Sequence, residues 1–223
     1  MDVTESVSDK ELGTIQNKSS LINDDDQARA DTYSILASLL SRTPNQDLID
    51  YLLHIDADTD AQVNSVKRQE PGDIARAWLE LKDAAGKYDL NELDDEYHDL
   101  FIGLGRGQVI PYGSWQMTGF LMDKPLSDLR DDLAKLGIAA SADTKDPEDH
   151  IAALCETMSI LITAQDVEGY QQRRFYIRHL HPWANKFFKS LQAASSAQFY
   201  KSVGLLGQRF VELENHYLNI SEH

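Results

Sequence analysis

"NDDDQARADTYSILASLLSRTP", residues 23–44, carries the pattern that decides the fold. Acidic residues precede a run in which Tyr33, Leu36, Ala37 and Leu40 fall at i, i+3, i+4 and i+7, and Pro44 follows as a stop. At 3.6 residues per turn this spacing sets the four apolar side chains on one stripe of a helix. The same spacing recurs at Ile74, Ala77, Trp78 and Leu81 after Pro71, and Leu93, Tyr97, Leu100 and Phe101 share one face at i, i+4, i+7 and i+8. Leu126, Leu129, Leu133 and Leu136 form another stripe, with Gly137 placed to close its helix in the left-handed region.

In "DPEDHIAALCETMSILITAQ", residues 146–165, Asp146 is the expected N-cap, Pro147 the first helical residue, and Glu148 and Asp149 the acids favoured at the positive end. Ile151, Leu154, Cys155, Met158, Leu161 and Ile162 then form its apolar face. Further helical stretches are expected around 167–193 and 196–218. No segment alternates with the period of a strand. The expectation is an all-α fold, with one bundle-like helical domain over 23–223 after a polar, flexible tail at 1–22.

Composition bounds the function. With 42% hydrophobic residues, 223 residues suffice for one sizeable core. A net charge of -16 repels nucleic acid and anionic membrane surfaces and would steer basic partners inward. The single cysteine, Cys155, precludes an internal disulfide and fits a reducing compartment. The first twenty residues lack the basic and apolar regions of a secretory signal, and eighteen apolar residues nowhere run together. A cytoplasmic protein without a membrane span is expected.

The stretch "YHDLFIGLGRGQVIPYGSWQMTG", residues 97–119, interrupts the helical pattern with five glycines and a proline. Gly103, Gly105 and Gly107 do not make a dinucleotide fingerprint, because Gln108 stands where its third glycine belongs and a helix precedes it. There is no Gly-Lys-Ser/Thr of a phosphate-binding loop, and Ser114 lacks the second glycine of a nucleophile elbow. His179 and His181 have no acid or cysteine beside them at ligand spacing, so no metal site and no catalytic residue is expected. Cys155, on an apolar face, reads as a buried thiol. The glycines instead suggest a crossing point where backbones approach closely, with Tyr112 and Trp115 bringing large rings to it.

"EYHDLFIGLGRGQVIPYGSW" followed some thirty residues later by "DPEDHIAALCE" resembles the TorD/DmsD/NarJ family of cytoplasmic molybdoenzyme chaperones. The matching marks are Glu96, Tyr97, Leu100, Phe101 and Gly103; then Pro111 and Ser114; then Pro147, Glu148, Asp149 and His150; and finally "HLHPW", His179 to Trp183. The chain departs from the family in placing Gln116, not an aromatic, two residues after the turn serine. "PYGSWQMTGFLMDKPL" looks closest to the TorD branch, which serves trimethylamine N-oxide reductases.

The resemblance implies a non-enzymatic, all-helical chaperone. It would bind the twin-arginine signal peptide and the apo form of a molybdoenzyme catalytic subunit, assist insertion of the molybdenum cofactor and prevent premature export. It also implies weak guanine-nucleotide binding, with no other cofactor, and a monomer or an exchanged homodimer. In that reading Leu100, Phe101, Tyr112 and Trp115 are apolar contacts around Gly103, and Pro111 and Ser114 hold the turn. Glu148 and Asp149 pair with the arginines, and His150 hydrogen-bonds across the groove. Two other readings fit the same residues: a helical scaffold or regulator for some other partner helix, and a weak nucleotide hydrolase using the glycine loop and His150.

Overall fold

The computed structural model describes residues 22–55, 73–103, 107–139 and 146–220. The expected tail lies almost wholly outside these residues, as does Gly105. Helix α1 spans Asp24–Ser41, and Asn23 caps it by accepting the amide of Asp26. Its apolar stripe is the expected one, for Tyr33, Leu36, Ala37 and Leu40 are all buried. α2 (Gln46–His54), capped by Asn45, follows the Pro44 stop, and α3 (Asp73–Ala85) buries Ala77, Trp78 and Leu81. α4 (Leu90–Tyr97) starts at a reciprocal capping box between Asp89 and Glu92.

α4 does not stop cleanly. It widens into a π turn over His98–Ile102, which Gly103 closes by donating to the His98 carbonyl at 2.7 Å. α5 (Gly113–Thr118) and α6 (Lys124–Lys135) follow, the latter with Pro125 in its first turn and Gly137 at φ 71° just beyond its end. α7 runs over Ile151–Thr163, α8 over Gly169–His179, α9 over Ala184–Ala193 and α10 over Phe199–Tyr217. Among the described residues the only extended pairing is a single bridge, and the fold is all-α.

Two expectations need correcting. The stretch 167–193 is two helices, because the chain turns through Leu180–Trp183, where Pro182 removes a donor. The helix expected from Asp146 begins only at Ile151, and its N-cap is His150, whose Nδ1 accepts the amide of Ala152. Residues 147–150 are instead a turn closed by the His150 amide on the Pro147 carbonyl.

The core is organised by two helices from opposite ends of the chain. α10 packs against α9 and α3, and α1 lies along α7. Buried polar groups join them. The Arg29 guanidinium on α1 donates twice to the Glu214 carboxylate on α10, at 2.6 and 3.0 Å, and the Tyr33 hydroxyl donates to the same group at 3.0 Å. Glu96 on α4 accepts the amides of Gln198, Phe199 and Tyr200 at 2.7–3.0 Å and so caps α10 from a distant segment. Glu96 is therefore a structural residue of its motif.

Candidate functional site: a clasp of two motifs beside a groove

The segments around Pro111–Ser114 and Asp146–His150 meet in a clasp. The Gly113 amide donates to the Asp149 carbonyl and the Ile151 amide to the Pro111 carbonyl, both at 2.8 Å, setting Tyr112 opposite His150 as an antiparallel pair. The Asp149 side chain adds a third bond, its Oδ2 accepting the Ser114 amide at 2.7 Å. The Tyr112 hydroxyl donates to Asp146 at 2.9 Å, and its ring stands edge-on to His150 with centroids 5.1 Å apart. Asp149 thus serves a helix start, as expected, but that of α5 rather than its own.

Close packing fixes the clasp from behind. Trp183, buried and bonded through Nε1 to the His179 carbonyl, lies so near Gly113 that a Cβ there would meet its ring at 3.2–3.4 Å. His179 packs on Phe175 and meets Asp132 at 3.0 Å. The "HLHPW" stretch therefore braces the clasp. Gln116 holds the connection by donating to the Ile110 carbonyl at 2.8 Å.

The glycine loop is the close crossing that the sequence suggested. A Cβ on Gly107 would come within 2.5 Å of the Leu100 carbonyl oxygen, and the Val109 amide donates to that oxygen at 2.9 Å. Leu100 faces the core. Phe101 is half-buried against Tyr97 and Tyr200, with centroids 5.0 and 5.4 Å away. Ile102 stands exposed at the lip.

Between α1, α7, the π turn and the clasp runs a groove of two adjoining lobes, about 370 and 380 Å³. Tyr97, Phe101, Ile102, Pro111 and Tyr112 wall the first. Ser34, Ser38, Ala153 and Glu156 wall the second, and Arg42, Asp146 and His150 stand where the two join. Burial, opposed by the charges of Asp146 and Asp149, holds the His150 imidazole below its usual proton affinity. With Nδ1 accepting from Ala152, the neutral ring carries its proton on Nε2, free to donate.

The groove gathers some of the sequence-predicted residues and not others. Phe101, Pro111, Tyr112 and His150 line it. Leu100, Ser114 and Asp149 are buried behind it, and Trp115 lies on α5 outside its lining. The Arg130 guanidinium holds Glu148 with two nitrogens, at 2.8 and 2.9 Å. Neither Glu148 nor Asp149 is thus placed as an open acid for a guest cation, contrary to expectation. The acids that do line the groove are Asp146 and Glu156. In the sequence Asp146 reads only as a cap, and nothing marks Glu156.

No described helix is long and apolar enough to cross a membrane. No cluster of three potential metal-ligating side chains occurs among the described residues. Burial pushes the Cys155 thiol far up, consistent with an unreactive core residue.

Comparison with known proteins places this geometry. A solved structure from Archaeoglobus fulgidus, assigned to redox enzyme maturation, shares the fold with a TM-score of 0.52 at 18% identity, covering 82% of this chain and 93% of that one. The chaperone protein TorD of Aliivibrio fischeri is 29% identical over 205 residues, 86% of this chain and 95% of that protein. TorD of Vibrio atlanticus is 30% identical over 138 residues, which is 57% of this chain and 64% of that protein. The family model of the nitrate reductase delta subunit matches residues 67–189, more than half the chain and the span holding both clasp motifs and the brace behind them. The chain belongs to this family, that of TorD and NarJ.

Proposed function

We propose that the protein is a maturation chaperone for a molybdoenzyme catalytic subunit of the trimethylamine N-oxide or dimethyl sulfoxide reductase type. It binds the subunit's twin-arginine signal peptide in the cytoplasm, holds back export and assists loading of the molybdenum cofactor. It acts by binding rather than by turnover. The observation that carries this reading is the groove, in which an aromatic lobe for apolar side chains adjoins a polar lobe where Asp146, Glu156 and the Nε2 donor of His150 stand with Arg42, two acids to one base. A signal peptide offers the complement, a basic start followed by an apolar segment. The net charge of -16 adds long-range steering toward such a peptide.

The test is calorimetric titration of the full chain with a twin-arginine signal peptide, beside a Lys-Lys version and a Phe101→Ala variant. Micromolar or tighter binding, about -8 kcal/mol, weakened by both changes, supports the reading. Equal affinity for the two peptides would leave a helix-binding scaffold without arginine recognition. No binding to peptides from several reductases would overturn it.

A further inference from the structure

The last turn of α5 and its connection to α6 display four large apolar side chains to solvent: Met117 at 44% exposure, Phe120 at 69%, Leu121 at 54% and Met122 at 73%. Single exposed apolar residues are ordinary, but four such residues within six positions of one another mark an interaction surface. The knuckle is also held in place. The Gly119 amide donates to the Trp115 carbonyl at 2.8 Å, and the Thr118 hydroxyl donates to the Ser114 carbonyl at 2.9 Å. The Met122 amide donates to the Ser114 hydroxyl at 3.2 Å. Met122 sits at φ 56°, a left-handed conformation that a side-chain-bearing residue adopts only where its surroundings impose it. Ser114, at the root, is the residue whose amide Asp149 holds. One short helix therefore joins the knuckle to the clasp, with Tyr112 at one end and Met117 near the other, about 8 Å along the axis at 1.5 Å per residue.

We infer that this knuckle is the second half of the peptide-binding surface, and that it takes the part of the apolar segment that runs on beyond the groove's aromatic lobe, in the same partner whose basic start occupies the polar lobe. The inference rests on the function proposed above. Charge selects this occupant. Three cations on α6 are already held within the chain: Lys124 by Asp128, Arg130 by Glu148 and Lys135 by Asp132. Asp131 remains exposed without an ion pair among the described residues, in a chain of net charge -16. A partner with positive charge at one end of an apolar run is attracted to a chain of this charge. A second copy of this chain brings another -16 and is repelled. Two methionines among the four side chains suit apolar segments of varied sequence, because the unbranched thioether adapts its shape to its neighbour.

The test uses the full chain, a Phe120→Ser/Met122→Ser double variant and two synthetic peptides. One peptide carries twin arginines followed by an apolar run of about fifteen residues, and the other ends just after the arginines. Both substituted residues project into solvent, so the variant keeps its melting temperature. It binds the long peptide at least tenfold more weakly than the unsubstituted chain does, and the short peptide equally well. Equal affinity of both proteins for the long peptide would overturn the inference and leave the groove reading standing. Equal losses for the two peptides would also overturn it, since the knuckle would then act only through the groove. A dimer of the unsubstituted chain that the double variant abolishes would assign the knuckle to self-association instead. Failure of either peptide to bind the unsubstituted chain would sink the function on which the inference rests.

Discussion

Asp149 shows how a motif residue can matter to binding without touching a guest. Only 3% of it is exposed, one carboxylate oxygen holds the Ser114 amide, and the other is buried without a partner among the described residues. Asp149→Ala orphans a buried amide and is expected to cost about 1–3 kcal/mol. Asp149→Asn keeps an acceptor and loses much less, as urea unfolding of both variants would show. Affinity lost in the alanine variant alone therefore reports a loosened clasp. His150 makes a second residue-scale prediction. Burial holds its folded proton affinity below the usual 6.5, so as pH falls the unfolded chain takes up the proton first. Its contribution to stability is present above pH 6.5 and is lost as pH drops through the folded value, at about 1.4 kcal/mol per unit of displacement. His179, also lowered by burial although Asp132 opposes this, adds a loss of the same sign. Asparagine at 150 keeps an N-cap acceptor and does not titrate. Urea midpoints measured from pH 7.5 to 5 should thus fall less steeply in His150→Asn than in the unsubstituted chain, and equal slopes would remove His150 from the account.

At the scale of elements, the outcome turns on how local the cause of each helix is. α1, α3 and α6 are legible because the apolar stripe of each lies within its own sequence, as do the Pro44 stop after α1 and Gly137 after α6. α2, nine residues long, offered too short a run to read. The start of α7 was misplaced because the side chain of Asp146, locally a good cap, is taken by Tyr112, thirty-four residues away, and the backbone of 147–151 is spent on the clasp. The groove was half legible for the same reason. Its aromatic wall sits in one motif, whereas Ser38 and Glu156 reach it only because α1 packs along α7. Glu96 is the sharpest instance of distant cause, an acid on α4 that caps α10 across a hundred residues. Glu96→Ala leaves three amides at that helix start without their acceptor and should cost about 2–3 kcal/mol, with Glu96→Gln intermediate. Hydrogen exchange should speed up first at Phe199–Val203. An unchanged exchange rate there would mean that α10 does not depend on this cap.

Across the whole molecule, the bond between the chain's first and last described helices sets how the groove is held. α1 forms one wall of the polar lobe, and its position depends on α7 beside it and on the Arg29–Glu214 pair that ties it to α10. Both side chains are buried, Tyr33 supplies a further donor, and the Tyr217 ring lies 4.0 Å from the guanidinium carbon. Burial opposes the charge on Arg29, but the hydrogen bonds and charge of Glu214 outweigh it and hold the proton more firmly than in water. Removing one partner strands the other charge in the core, so Arg29→Ala should cost about 3–5 kcal/mol. Replacing both, as Arg29→Met/Glu214→Leu, removes the two desolvation costs together and should restore most of that loss. Because α1 and α10 close one core, unfolding by urea should follow a single transition in every variant, at a lower midpoint for Arg29→Ala. Separate transitions for the two ends would mean that the pair docks two units rather than closing one. If the single transition holds, peptide affinity should weaken in Arg29→Ala and recover in the double variant, although neither residue lines the groove. The groove's wall would then be set by this buried pair at a distance.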